Sequence, residues 1–310
     1  MKKIKILICT HKDFPLPKGE IYQPIFVGSA ISKESIPANT IADDSGDNIS
    51  ARNGSFCELT AQYWGWKNMA DVDYLGLCHY RRYFDFDETI SGFCGARELE
   101  YLNNPEPQKI LSHLENNDII AIRPTKYKTT LRRHYNKNHH ASDLNRVAKI
   151  IARIYPQYRP SFKRVMSRKE MSICNMFLAP KQLFDNYSKW LFDILFELEK
   201  MVDTSTRDNY QKRLFGFLSE RLLNVYIEHN KLKVKHLPLV DLVASSDNSN
   251  KKRSYIRDLI SHTTTSYEGQ NITIKRRRIF GVHIYTRKIT NRHQKQYLFG
   301  IQIRSRRINA

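Results

Sequence analysis

Along residues 5–239, short apolar runs alternate with stretches whose apolar residues recur at helical spacing, and such a chain buries its strands between layers of helices. Lys5–Thr10 reads as an apolar strand entering a polar loop, and Ile25–Gly28 as a second short apolar segment. Glu58–Ala70 reads as a helix with Leu59, Tyr63, Trp66 and Met69 on roughly one face. Tyr74–His79 is a third strand that runs directly into Tyr80, Arg81, Arg82 and Tyr83. Open α/β sheets place ligand sites at strand ends of this kind. Beyond it, Lys109–Asn116 reads as a helix and Asp118–Arg123 as a strand closed by Pro124. Thr125 to Asp143, rich in His, Lys, Arg and Tyr, reads as a mobile loop over the site. Asp143–Ile154, Phe184–Val202 and Arg213–Glu228 read as helices, and Met171–Ala179 and Val234–Leu239 as strands.

A chain of 310 residues holds one ordinary domain plus an appendage, and its 41% hydrophobic content with 17 Tyr, 15 Phe and 3 Trp argues for a packed core. No window approaches the roughly 18 apolar residues of a membrane span. The apolar run near the start extends only from Ile4 to Cys9 and no small-residue cleavage site follows, so it reads as a first strand and not as a signal peptide. The five cysteines, Cys9, Cys57, Cys78, Cys94 and Cys174, are scattered and odd in number, which fits neither a disulfide framework nor a zinc site and suits a reducing cytoplasm.

Charge is unevenly spread. Residues 251–310 carry 15 Lys and Arg against Asp258 and Glu268, so they hold +13 of the chain's +20. A surface of this kind attracts nucleic acid or anionic lipid headgroups, and charge alone does not choose between them. The polar run Ala244–Lys252 precedes this region as a linker. Within it, Phe280–Lys288 and Phe299–Arg307 form a short internal repeat, both copies alternating apolar with polar residues and ending in a basic pair, as short strands do. The expected division is a domain over residues 1–245 and a basic linker and repeat region over 246–310.

Four segments carry most of the chemical information: Thr10-His11-Lys12; the run Gly46-Asp47-Asn48-Ile49-Ser50 with Asn53 and Glu58; Tyr74 to Phe84; and Asn175-Met176-Phe177. Together with Tyr63, Trp64, Trp66 and Lys67 they resemble a bacterial family long described as a domain of unknown function and found in capsule, exopolysaccharide and O-antigen loci. The resemblance covers roughly residues 3–240 and does not reach the tail. It implies a GT-A-like, Rossmann-type layered α/β sheet with helices on both faces, here followed by a small basic C-terminal β appendage. It also implies a glycosyltransferase that moves a sugar, by resemblance galactofuranose with inversion, from a UDP-sugar donor to a polyprenyl-diphosphate-linked oligosaccharide acceptor. Such an enzyme works in the cytoplasm, peripherally at the inner face of the cell membrane, and the basic tail would meet the anionic surface there.

The residues agree with a nucleotide-sugar site on their own chemistry. A diphosphate leaving group needs cationic or metal neutralisation, and arginine presents a fixed fork matched to phosphate oxygens. Arg81 and Arg82 follow a strand and are flanked by Tyr80 and Tyr83, whose rings suit stacking on a base or sugar. The competing reading pairs Arg82 with a buried carboxylate and puts Tyr83 in the core. Thr10, His11 and Lys12 sit at the end of the first strand, where nucleotides are contacted, or form a plain polar loop. Asp47 and Asn48 suit ribose hydroxyls or uracil, or cap turns and helices. Asn175 belongs to the same donor-binding set. Many GT-A enzymes carry an Asp-x-Asp metal motif where this chain has Tyr80 to Tyr83. A divalent Mn or Mg ion therefore depends on Asp85 and Asp87 turning back toward the site.

Inverting transfer needs a group that takes the acceptor hydroxyl's proton. Glu220 on the Arg213–Glu228 helix is the first candidate, Asp143 in the presumed lid the second and His79 the third. No HxxxH, HExxH, GxxxxGK[ST] or GxGxxG pattern occurs, which removes the main support for zinc-enzyme, kinase, ATPase and dehydrogenase readings. Two other classes compete: a basic nucleic-acid-binding protein, suggested by a pI of about 9.7, and a noncatalytic subunit of a polysaccharide assembly complex. The tail lacks any helix-turn-helix, zinc-finger or RNP-like pattern, so nucleic acid is not the expected partner.

Overall fold

A computed structural model describes residues 2–89, 92–94 and 96–242, and then 260–267, 272–279, 282–289, 293–298 and 301–307. The chain divides into two compact units, Met1–Leu242 and Val243–Ala310.

In the first unit the strands are β1 (Ile4–Thr10), β2 (Tyr22–Phe26), β3 (Ile41–Ala42), β4 (Tyr74–His79), β5 (Arg82–Phe84) and β6 (Gly92–Cys94). They continue as β7 (Ile119–Ile122), β8 (Thr125–Lys126), β9 (Glu170–Met171), β10 (Phe177–Pro180), β11 (Val234–Leu237) and β12 (Leu239–Leu242). The helices are α1 (Asn53–Phe56), α2 (Leu59–Asn68), α3 (Pro107–Leu114), α4 (Leu131–Asn138), α5 (Ala141–Ile154), α6 (Arg159–Ser167), α7 (Lys181–Glu199) and α8 (Leu214–Asn230).

The main sheet runs β11-β7-β10-β4-β1-β2-β3. β1 lies parallel to both β2 and β4, while β10 runs antiparallel to β4 and β7. The chain builds outward from β1 through β2 to β3, then returns to lay β4 on the other side of β1. Strand order reverses between β1 and β4, and in open α/β sheets the crevice beyond the carboxyl ends at such a reversal receives the ligand.

Both faces of the sheet are covered, which is why its central strands are nearly continuous apolar runs. Leu7 and Cys9 of β1, Leu75 and Leu77 of β4 and Phe177 of β10 join a core with residues of α2, α5, α7 and α8. Ile6, Ile8, Cys78 and Leu178 alternate into a second core with Ile110 and Leu114 of α3. Helix α2 approaches β1 so closely that a Cβ on Gly65 would lie 2.7 Å from Leu7 Cδ1. That approach brings Glu58, at the N-terminus of α2, to the ends of β1 and β4.

Three segments differ from the sequence reading. The stretch Thr125 to Asp143 is not a loop: it contains β8, α4 and the first turn of α5. Helix α4 buries only Leu131 and Tyr135, one turn apart, so its apolar periodicity is too thin to read, although Thr130 caps it by accepting from Arg133 N. The stretch Met171–Ala179 divides into β9 and β10, because Cys174 (φ 70°) and Asn175 (φ 52°) take left-handed backbone that cannot continue a strand. Val234–Leu239 divides into β11 and β12 at Pro238, whose carbonyl accepts Asp85 N.

The second unit is an antiparallel meander of β13 (Ile260–Tyr267), β14 (Ile272–Ile279), β15 (Val282–Ile289), β16 (His293–Leu298) and β17 (Ile301–Arg307). The repeat copies fall on β15 and β17, while Phe280, Gly281, Phe299 and Gly300 lie outside the described residues. None of the five strands contains Asp or Glu. Among the described residues no helix is long and apolar enough to cross a membrane.

Candidate functional site

β1 and β4 end side by side, with Cys9 in register with His79 and Tyr80 N donating to Cys9 O at 3.0 Å. A cleft opens there as two adjoining cavities of about 660 and 350 Å³, whose shared wall is Cys57, Glu58, His79, Arg82 and Arg213. The larger is also lined by His11, Val27, Asn53, Tyr80, Arg81, Asn209 and Lys212. Its lining holds four cations, Arg81, Arg82, Lys212 and Arg213, against the single carboxylate of Glu58. The smaller adds Tyr127, His134, His139, Tyr210, Phe217, Glu220 and Arg221.

The backbone around the cleft is strained at residues other than glycine. Cys57 (φ 55°, ψ −129°) joins α1 to α2, and Cys174 and Asn175 form the left-handed turn before β10. Such conformations cost about 1–3 kcal/mol each and persist only where surrounding contacts enforce them. Here Asn53 Nδ2 donates to Cys57 O at 2.8 Å, and Cys174 N donates to Glu220 Oε1 at 2.9 Å. Asn175 is buried and does not line the cleft. Its Nδ2 donates to Glu58 Oε1 at 2.6 Å and to Gly216 O at 3.1 Å, tying α2 to α8 through the turn.

The three candidate proton acceptors have separate fates. Glu220 keeps 23% of its side chain exposed, in the smaller cavity. Burial raises its pKa above the ordinary carboxylate value, against the opposing pull of Arg221 and the Cys174 amide, and a raised carboxylate is suited to general base work near neutrality. His79 Nε2 lies 2.6 Å from Cys174 O. A carbonyl only accepts, so the proton sits on Nε2, while burial lowers the imidazole pKa despite the charge of Glu58. His79 therefore presents a neutral ring with Nδ1 as an acceptor.

Asp143 is corrected from lid base to structural anchor. It is fully buried in the first turn of α5, where Arg207 binds it bidentately at 2.6 and 2.8 Å and Arg146 stands 3.4 Å away.

Of the donor-binding candidates, His11, Tyr80, Arg81 and Arg82 line the larger cavity together. Thr10 is buried and its hydroxyl donates to Lys12 O at 2.6 Å, closing the turn that presents His11. Lys12 stands 5.5 Å from the centre of the Tyr80 ring, outside the cavity lining. Arg82 also pairs with Asp241, its Nε 3.2 Å from Oδ2.

Three expectations fail on placement. Tyr83 is fully buried and its hydroxyl donates to Tyr80 O at 2.8 Å, so its ring is core. Asp47 accepts from Tyr63 Oη at 3.0 Å and Asn68 Nδ2 donates to its carbonyl, while Asn48 Nδ2 donates to Asp44 O and Gly46 O. They fasten a loop to α2 away from the cleft. Gly46 is needed there because its φ is 58° and a Cβ would lie 2.1 Å from Asn68 Oδ1.

The Asp-Phe-Asp pair does not turn back toward the cleft. Asp85 is buried and accepts Asp87 N, Asp87 meets Lys109 and Tyr101, and both line a separate cavity with Tyr22 and Phe84. Among the described residues no three His, Cys, Asp or Glu side chains come together as a metal's ligands.

Sequence reasoning left Glu58, Lys212, Arg213 and Arg221 without roles. A signal was present for two of them. Lys212 and Arg213 stand immediately before α8, where the helix dipole disfavours cations, so a basic pair there stands out in the sequence.

The arrangement has counterparts among known proteins. The apo structure of the WbbM bifunctional glycosyltransferase is similar, with a TM-score of 0.71 and 31% identity, covering 78% of this chain and 45% of that one. The chain thus spans less than half the length of that protein, and the shared architecture is the GT-A-like one of a central, mainly parallel sheet flanked by helices. No curated protein matches the sequence. The family described as Domain of unknown function (DUF4422) matches residues 5–231, and on that match over most of its length the chain belongs to this family.

Proposed function

We propose that this chain is a glycosyltransferase that takes a sugar from a UDP-sugar, galactofuranose by the family resemblance, and passes it to a polyprenyl-diphosphate-linked oligosaccharide. The observation that carries the reading is the cleft at the β1/β4 reversal, which joins a four-cation cavity to one containing Glu220. The similarity to a bifunctional glycosyltransferase supports it. In this reading the larger cavity holds the donor, and Arg81, Arg82, Lys212 and Arg213 neutralise the diphosphate as it leaves. The acceptor oxygen bonds to the anomeric carbon while the bond to UDP breaks. UDP departs with the electron pair, the acceptor proton passes to Glu220 and the anomeric centre inverts.

Arg81 makes no ion pair among the described residues, whereas Arg82 supports Asp241. Arg81→Ala should therefore weaken UDP binding by about 1.5–3 kcal/mol with an unchanged melting temperature. Arg82→Ala should weaken UDP binding and stability together. Calorimetric titration of UDP checks both, and wild-type affinity in the two folded variants would refute the diphosphate role.

The second unit is, in the same reading, the contact with the inner face of the cell membrane. It carries most of the net charge, and each Lys or Arg near an anionic leaflet contributes on the order of 1 kcal/mol. A chain ending at Asn250 should keep UDP binding and lose low-salt sedimentation with anionic liposomes. Equal sedimentation of the two forms would rule this contact out, and tight RNA binding by the full chain would favour a nucleic-acid partner.

A further inference from the structure

Gly216, Glu220 and Asn224 recur at every fourth position of α8 and so share one face of it. The connection from β9 to β10 bonds to each of them in turn. Ser172 N donates to Asn224 Oδ1 at 3.0 Å, and Asn224 Nδ2 returns a bond to Ser172 O at 2.8 Å. Cys174 N donates to Glu220 Oε1 at 2.9 Å, and Asn175 Nδ2 donates to Gly216 O at 3.1 Å. Each amide gives its second hydrogen to a further acceptor, Asn224 to Glu220 O and Asn175 to Glu58 Oε1. These acceptors fix the way both amides face, even though Asn175 Oδ1 is left buried without a hydrogen-bond partner among the described residues. The connection is held from its other side as well, by Ser172 Oγ donating to Ile122 O and His79 Nε2 to Cys174 O, both at 2.6 Å. Ser172 and Asn175 are buried, and polar bonds away from water resist displacement because breaking one leaves a group unpaired.

We infer that Asn175 and Asn224 are positioning residues for Glu220: they dock the β9–β10 connection on α8 from either side of it, so that the Cys174 amide meets its carboxylate. The inference rests on the reading of Glu220 as proton acceptor. With Oε1 held by the amide, Oε2 is left for the acceptor's proton, and Arg221 Nη1 stands 3.7 Å from it. The bond comes from the backbone of Cys174, so its aim depends on the left-handed turn at Cys174 and Asn175 and not on the thiol. Burial pushes the Glu220 pKa up, Arg221 and the Cys174 amide pull it down, Glu58 adds to the rise and Arg82 opposes it. His79, Tyr127 and His134 are the other titratable groups of the adjoining elements that line the same cavity. Loss of the amide bond removes support for the ionised form, so the carboxyl should then titrate at higher pH.

The test follows the Glu220 carboxyl by NMR across pH in full-length protein carrying isotopically labelled glutamate, with Glu220→Gln identifying its signal, and needs no substrate. Asn175→Gly keeps the left-handed backbone and Asn224→Ala keeps the helix, so each unfastens one side of the connection independently. Asn230→Ala is the control, because Asn230 Nδ2 bonds to Tyr158 Oη and Tyr226 O at the far end of α8. The Glu220 titration is expected to move to higher pH in Asn175→Gly and in Asn224→Ala and to stay at its wild-type position in Asn230→Ala. UDP affinity, measured by calorimetry, should be unchanged, while kcat/KM on the acid side falls about tenfold, the equivalent of one such hydrogen bond. An unmoved or lowered titration in the folded variants, or an equal shift in Asn230→Ala, would overturn the positioning role. If wild type transfers no sugar while the titration shifts as stated, the proposed reaction falls and the positioning of Glu220 stands.

Discussion

Glu220→Gln is expected to reduce transfer by about 10²–10⁴-fold while UDP affinity stays at the wild-type level. Glutamine keeps the volume and the oxygen that accepts Cys174 N, so the strained turn survives. What it loses is the proton acceptor. Glu220 lines the smaller cavity and not the larger, which is why donor binding should be spared. The pH profile gives a second readout. Burial favours the neutral carboxyl and raises its pKa, and the base works only when ionised. Wild-type kcat/KM should therefore rise with pH through a limb above the ordinary carboxylate range, and the variant should lack that limb. Near-wild-type turnover in Glu220→Gln, with loss in Glu58→Gln, would move the base to the carboxylate shared by the two cavities.

Arg207→Met is expected to destabilise the first unit by about 3–5 kcal/mol, a fall in melting temperature of roughly 10 °C for a unit of this size. The Asp143 side chain is 1% exposed and that of Arg207 10%, and they form a bidentate pair. Removing one partner leaves a buried charge whose remaining ion-pair partner among the described residues is the more exposed Arg146. Adding Asp143→Leu to Arg207→Met should restore much of the loss, since the penalty comes from the unpaired carboxylate. An unchanged melting temperature in the single variant would contradict the anchoring role.

Those two acids show how far the sequence could be read. The ends of Tyr74–His79 and the cleft position of Tyr80, Arg81 and Arg82 were legible, because a buried strand running into cations marks both its own end and a ligand site. Glu220 was legible as a position on a helix after the Asn175 segment. Asp143 misled because its partner, Arg207, is 64 residues away, and sequence shows an acid without showing the guanidinium that folds onto it. Tyr83 misled for a local reason. β4 turns back at once into β5, and strand alternation then sends Tyr83 into the core beside Tyr22. Glu58 and Arg213 stand 155 positions apart and meet only because α2 and α8 reach the same strand ends.

The account rests on the cleft being a nucleotide-sugar site, and the most direct measurement is UDP release from a panel of UDP-sugars by the full-length wild-type protein, with melting temperature followed in parallel. Release of UDP from at least one member, UDP-galactofuranose first, is expected, together with a melting temperature raised by UDP, because a ligand that binds only the native state must stabilise it. No release from any member, with a melting temperature indifferent to UDP but raised by RNA, would contradict the account.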